Sequence, residues 1–184
     1  MSLLSQSTIS KKISISGIGI HTGKSVNLNI LPAVPNSGIT FKRIDLNQNN
    51  IVIPSFENVC DATLCTTIEN EHGVKVSTIE HLMAAFLGLG IDNAIVEIDS
   101  QEVPILDGSS IPFVNLLKKA GLRYSDIPIK LVKINNYVEV IDGDKFISLD
   151  KSNTSLEIEF EISFKNKIIN NQKNKINVFE DNLD

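Results

Sequence analysis

Cysteine is scarce in this chain: Cys60 and Cys65 are the only two among 184 residues. Their spacing matches no common zinc pair, and two thiols do not make a disulfide scaffold, so a reducing compartment suits the chain better than an oxidising one. Basic clusters are missing as well. There are 17 Lys and Arg against 22 Asp and Glu, a net charge of −5, and no cationic patch is interleaved with aromatics. That excludes the electrostatic footprint of a nucleic-acid binder. No apolar run is long: Leu82 to Ile91, the longest, includes two glycines and reaches about half the ~20 residues of a membrane-spanning helix, so it reads as a buried core helix. Met1 to Ser10 is polar and lacks the charged-then-apolar order of a signal peptide. The expectation is a cytoplasmic protein without a transmembrane segment.

What is present suffices for a core. Apolar residues make up 42% of the chain and the mean hydropathy is +0.06, ordinary values for one large or two small globular domains. From Thr8 to Ile44 apolar and polar residues alternate, through Ile13 and Ile15, then Val26, Leu28 and Ile30, then Ile39 and Phe41. This period of two predicts three strands, with Gly17, Gly19, Gly23 and the Pro32–Gly38 segment as turns. Further strands are expected at Thr63–Glu69, Val74–Val76 and Asn93–Asp99. Between them Ser77-Thr78-Ile79-Glu80 has the form of a capping box, opening a helix that runs through Phe86 and stops near Gly88 and Gly90. A second helix, capped by Ser109 or Ser110 with Pro112 in its first turn, presents Phe113, Leu116 and Leu117 on one face and stops at Gly121. The pattern is α+β, a two-layer sandwich of strands with two helices.

After a polar link at Arg123–Asp126 the strand pattern restarts at Ile129–Ile134, Tyr137–Val140, Phe146–Leu149 and Leu156–Phe164, with Asp142-Gly143 as a hairpin turn. Two domains are therefore expected, residues 1–123 and 124–184, the second of similar plan but without helices. Lys165 to Asp184, rich in Asn and Lys, reads as a loop or frayed end.

Few motifs carry chemistry. Gly17-Ile-Gly-Ile-His-Thr-Gly-Lys-Ser25 ends like a phosphate-binding loop, but the pattern requires Gly where Ile18 stands, and Val26–Ile30 continues as a strand where a P-loop opens a helix. A tight hairpin presenting His21 at its tip is expected instead, with His21 either a turn residue or a substrate contact. Glu80-His81, in the first turn of the first helix, allows two readings. His81 could ligate a metal while Glu80 takes a proton from the metal-bound water, or Glu80 could simply close the capping box on the Ser77 N–H while His81 packs at the helix start. Cys65 is expected mid-strand, an inert buried thiol or a reactive one. His72, beside Gly73, and Lys145, beside Asp142-Gly143-Asp144, read as turn residues.

Taken together, Gly17 to Lys24, Asp61 to Thr67 (Asp-Ala-Thr-Leu-Cys-Thr-Thr) and Val76 to Phe86 (Val-Ser-Thr-Ile-Glu-His-Leu-Met-Ala-Ala-Phe) resemble the zinc-dependent UDP-3-O-acyl-N-acetylglucosamine deacetylases. So do Gly88 to Asn93, Glu102 to Ser109 and Asp142 to Lys145, in matching order and separation from about Ser10 to Phe164. The resemblance implies removal of the acetyl group from the 2-amino position of a UDP-linked acylated glucosamine, the committed step toward lipid A. It implies Glu80 as general base and His81 as a Zn2+ ligand. It places His21 and Cys65 at the substrate cleft, Lys145 near the UDP moiety and Phe164 stacked on the uracil. The family's other two zinc ligands, in a His-Lys-x-x-Asp helix, its general-acid His and its Arg-Thr-Phe segment are not in this sequence, and Asn166-Lys167 stands where His-Pro usually follows the stacking aromatic. The chain is accordingly expected to be a truncated fragment, inactive alone, whose partner is the missing C-terminal half. The alternative is a non-catalytic remnant or a UDP-sugar-binding module without a metal site.

Overall fold

The computed structural model describes residues 5–152 and 156–178; the expectations for residues 1–4 and 179–184 lie outside them. Two compact units divide the chain, Met1–Ile129 and Lys130–Asp184.

In the first unit β1 (Ser5–Ile9), which was not expected, precedes the three period-two segments, which become β2 (Ile13–Ile18), β3 (Ser25–Pro32) and β4 (Ile39–Arg43), and a short β5 (Ile51–Val52), also not expected, follows them. After a 3-10 turn at Phe56–Asn58 come β6 (Val59–Asp61), β7 (Thr67–Glu69), β8 (Lys75–Val76), helix α1 (Glu80–Gly88), β9 (Ala94–Ile98), helix α2 (Ile111–Ala120) and β10 (Leu122–Pro128). The main sheet has the order β2-β3-β9-β4-β5, antiparallel except where β9 runs parallel to β4. Strands β6, β7 and β8 form a small antiparallel sheet, and β1 pairs with β10.

Alternation decides the layers. In β3 the side chains of Val26, Leu28 and Ile30 are buried while Ser25 and Asn27 are exposed. The buried face carries Phe41, Val96 and Ile98 from neighbouring strands and packs with Leu82, Ala85 and Phe86 of α1 and Phe113, Leu117 and Ala120 of α2 in one cluster. The result is the expected α+β class, with both helices on one side of the sheet. Each fully buried Leu or Phe contributes roughly 1.5–3 kcal/mol of transfer free energy, which holds α1 in place although nine residues are too few for an isolated helix to persist in water.

Local signals were less faithful than periodicity. The capping box at Ser77–Glu80 does not close: the Ser77 N–H donates to the Gln101 carbonyl at 2.8 Å, because residue 77 bridges in parallel to Glu102. The Glu80 carboxylate goes elsewhere, as described below. At α2 the Ser109 hydroxyl accepts from the Ile111 N–H at 3.2 Å, Pro112 sits in the first turn and Gly121 ends the helix at φ 72°. Residues 123–126, expected as a link, are part of β10, whose partner β1 gives them a ladder.

The second unit consists of two hairpins, β11 (Val138–Asp142) with β12 (Lys145–Leu149) and β13 (Glu157–Ser163) with β14 (Asn171–Asn177). The first turns one residue later than expected, at Gly143-Asp144 between the paired Asp142 and Lys145, with Gly143 at φ 62° in the first central position, where a type II′ turn takes glycine. Residues 129–134 form no strand; Leu131 and Val132 are exposed. Strand β14, in the segment expected as a loop, exists because β13 pairs with it: Glu159 meets Lys173 at 2.6 Å and Glu157 meets Lys175 at 3.1 Å on one face. The other face of β13 presents Ile158, Phe160 and Ile162.

Candidate active site

Four segments far apart in sequence converge at the start of α1. The first is the turn joining β2 to β3. Its Gly19 N–H donates to the Lys24 carbonyl at 3.0 Å and the Gly23 N–H to the Gly19 carbonyl at 2.9 Å, with Gly23 at φ 65°. This is the expected hairpin, and the exposed His21 lies in it. The second is the bend before β7. Cys65 sits there, ahead of the strand rather than mid-strand, half-buried, with its sulfur 3.7 Å from the Thr67 hydroxyl.

Glu80, the first residue of α1, accepts from the Thr66 N–H through Oε2 at 3.0 Å. Its Oε1 takes no hydrogen bond among the described residues. One oxygen is thus anchored by a backbone donor and the other is available, which suits a carboxylate that takes up a proton. His81 follows, half-buried, and its imidazole makes no hydrogen bond among the described residues. Neither group needs the other to satisfy it, so both remain usable by a ligand.

The fourth segment, 101–103, supplies a residue that sequence reasoning passed over. Glu102 is fully buried, yet no cation faces it in any ion pair among the described residues. Its Oε1 accepts from the His21 N–H at 2.9 Å and the Thr78 hydroxyl at 3.1 Å, and its Oε2 from the Thr22 N–H at 2.8 Å. Burial pushes the Glu102 pKa up, but the bonds from His21, Thr22 and Thr78 together outweigh it and leave the carboxyl below the ordinary range. The available signal was an acidic residue directly before a short apolar stretch, Val103-Pro-Ile. Thr78 and Thr66 carry no comparable signal, since their roles depend on tertiary partners.

Lys145 and Phe164 lie in the second unit on different hairpins. Lys145 opens β12 opposite Asp142, and Phe164, 53% exposed, follows β13 and donates its N–H to the Asn170 carbonyl at 3.1 Å. His72 is a turn residue 3.4 Å from Glu71, as expected.

An α+β domain thus brings a singly anchored carboxylate, an imidazole, a thiol and a histidine-bearing turn to one helix start. Residues 6–183 match the family model described as UDP-3-O-acyl N-acetylglycosamine deacetylase, and the chain belongs to that family. It is 43% identical over 162 residues to the UDP-3-O-acyl-N-acetylglucosamine deacetylase of Shewanella sp. (strain ANA-3), covering 88% of this chain and 53% of that protein. It is similarly 42% identical over 168 residues to the deacetylase of that name from Haemophilus influenzae (strain PittEE), covering 91% of this chain and 54% of the relative. The chain spans about half the length of the curated relatives it matches. The zinc suggested by the family resemblance is not accommodated by these residues alone: among the described residues no three His, Cys, Asp or Glu side chains lie together as a metal group, whereas a zinc site takes three or four protein ligands. No helix of the described residues is long and apolar enough to cross a membrane.

Proposed function

We propose that this chain carries the first part of the machinery for hydrolytic deacetylation of UDP-3-O-acyl-N-acetylglucosamine, in the pathway to lipid A, and does not turn over substrate by itself. Amide hydrolysis joins a water oxygen to the acetyl carbonyl carbon and breaks the C–N bond, giving acetate and a free 2-amino group. The water must lose a proton and the departing nitrogen must gain one. Glu80 is assigned as the acceptor of the water's proton; the observation that carries this reading is its one oxygen held by the Thr66 N–H and the other left open beside His81. His81 is assigned as one metal ligand, with the remaining ligands and the general acid outside the described residues. His21 and Cys65 line the substrate site, while Lys145 and Phe164 serve the UDP moiety.

Expression of the gene's whole reading frame tests this. The product should release acetate from UDP-3-O-acyl-N-acetylglucosamine, lose the activity on chelation and regain it with zinc. Glu80→Gln should lower the rate by at least about 100-fold, the usual minimum contribution of a general base, and His81→Ala should lower both the rate and the bound zinc. Acetate release that persists in Glu80→Gln would refute the assignment of the base. Binding of the UDP-sugar with neither zinc nor acetate release would establish the non-catalytic binding module instead.

A further inference from the structure

We propose that Glu102 is a positioning residue: its buried carboxylate clasps the His21-bearing turn to the segment that launches α1, and so sets His21 against the Glu80–His81 pair. Three observations converge on it. The first is the sharing of one oxygen, Oε1, between the His21 N–H at 2.9 Å and the Thr78 hydroxyl at 3.1 Å. Two groups bonded to one atom cannot drift apart while both bonds last, and Thr78 stands two residues before Glu80. The backbone of Glu102 repeats the link, since Ser77 and Glu102 form a bridge and the Val103 N–H donates to the Ser77 carbonyl at 3.1 Å.

The second observation is the conformation of Thr78. This residue is β-branched and almost fully buried, yet it adopts φ 56°, a region that such side chains avoid. Its hydroxyl bond to Glu102 is a compensation specific to that geometry. The third is the room made for the carboxylate. A Cβ at Gly19 would collide with Glu102 Oε2 and with the Thr22 hydroxyl, so the turn approaches the carboxylate as closely as only glycine permits. A side chain serving only to fill space would need neither two aligned backbone donors nor an opposing glycine. The arrangement is that of an anion held by a small nest of N–H groups, with the anion supplied by the protein itself.

Glu102 touches no reacting atom in this arrangement. It acts through His21, and the inference rests on the proposed function only for what His21 is positioned to do. The clasp itself can be read without turnover, so its failure is distinguishable from failure of the deacetylase reading.

The test is amide hydrogen exchange and two-dimensional NMR on the 184-residue chain and its Glu102→Gln and Glu102→Ala variants. Gln matches the volume of Glu, but only its carbonyl oxygen accepts while its NH2 cannot, so it can serve the His21 N–H or the Thr22 N–H but not both. The expected result for Glu102→Gln is exchange faster by about tenfold or more at whichever of the His21 and Thr22 amides meets the NH2, the loss of a hydrogen bond to a charged group, with the β3 and β9 amides still protected. The two amide resonances should also lose their joint titration at acid pH. Glu102→Ala, if it folds, should accelerate both amides and abolish the nuclear Overhauser contact between the His21 amide and the Thr78 side chain. Wild-type-like exchange at both the His21 and Thr22 amides in Glu102→Gln would overturn the proposal and leave Glu102 a packing residue. Uniform acceleration across β3 and β9 would also overturn it, as evidence of a general stability role.

Discussion

Replacing Leu82 with alanine isolates the packing that holds the Glu80–His81 pair. Leu82 follows His81 directly, is fully buried and belongs to the cluster shared by α1, α2 and the main sheet. Its removal withdraws about three carbons from a site whose neighbours are themselves buried, so little collapse can compensate; the cost should be about 2–5 kcal/mol. Against the ~5–15 kcal/mol typical of a domain, that is a large fraction. A loss of about 3 kcal/mol should lower the melting point of the first unit by roughly 10 °C. The control is Leu87→Ala in the same helix, where the side chain is 52% exposed and the change should stay within about 0.5 kcal/mol. Urea unfolding followed by circular dichroism, with hydrogen exchange at the α1 amides, measures both. Leu82→Ala costing under about 1 kcal/mol, or matching Leu87→Ala, would refute the view that α1 is held by this face and not by its own propensity.

Other outcomes follow from the same contacts. Limited trypsin digestion should cut first at the exposed Lys130 and Lys133, in the strandless stretch after β10, and then within the second unit, whose isolated two-stranded sheets resist poorly; equal rates of cutting in both units would contradict this. Asp45 has its pKa lowered chiefly by its hydrogen bond to Arg43, at 2.6 and 2.8 Å, with burial opposing. A depressed carboxylate stabilises the fold above the ordinary value of about 3.9 and loses that contribution as pH falls through its lowered one. Asp45→Asn should therefore be less stable at pH 7 and lose less on acidification, as read by urea midpoints from pH 7 to 3; an unchanged pH slope would count against it. Gly19→Ala should destabilise the first unit by on the order of 1–3 kcal/mol through overpacking against Glu102 and Thr22, and a neutral melting temperature would show that the turn can give way.

Much of the first unit is legible in the periodicity of its residues. The burial of Val26, Leu28 and Ile30 follows from alternation alone, and the extent of α2 follows from Pro112 in its first turn and Gly121 at its end. Features decided by partners distant in sequence are not legible in this way. Ser77 and Glu80 satisfy the capping-box pattern, but the Gln101 carbonyl and the Thr66 N–H are the partners they find. Strand β14 has little β propensity of its own and is stabilised by cross-strand Glu–Lys pairs. Ile129–Ile134 has the right residues for a strand but, among the described residues, no neighbouring strand to pair with. At the site, the Glu80–His81 pair and the His21 turn stand out as motifs. Glu102 opens one of the matching segments, but its role is not legible there, because it lies in which atoms the carboxylate touches.

The pairing of β1 with β10 sets Ser5 directly opposite Pro128, so among the described residues the two ends of the first unit lie side by side. Such a module is a natural cassette: a few glycines could splice Ser5 to Pro128 into a circular permutant with new ends opened at the Asn47–Asn49 loop, or the unit could be grafted whole into a surface loop of a host protein without stretching either chain.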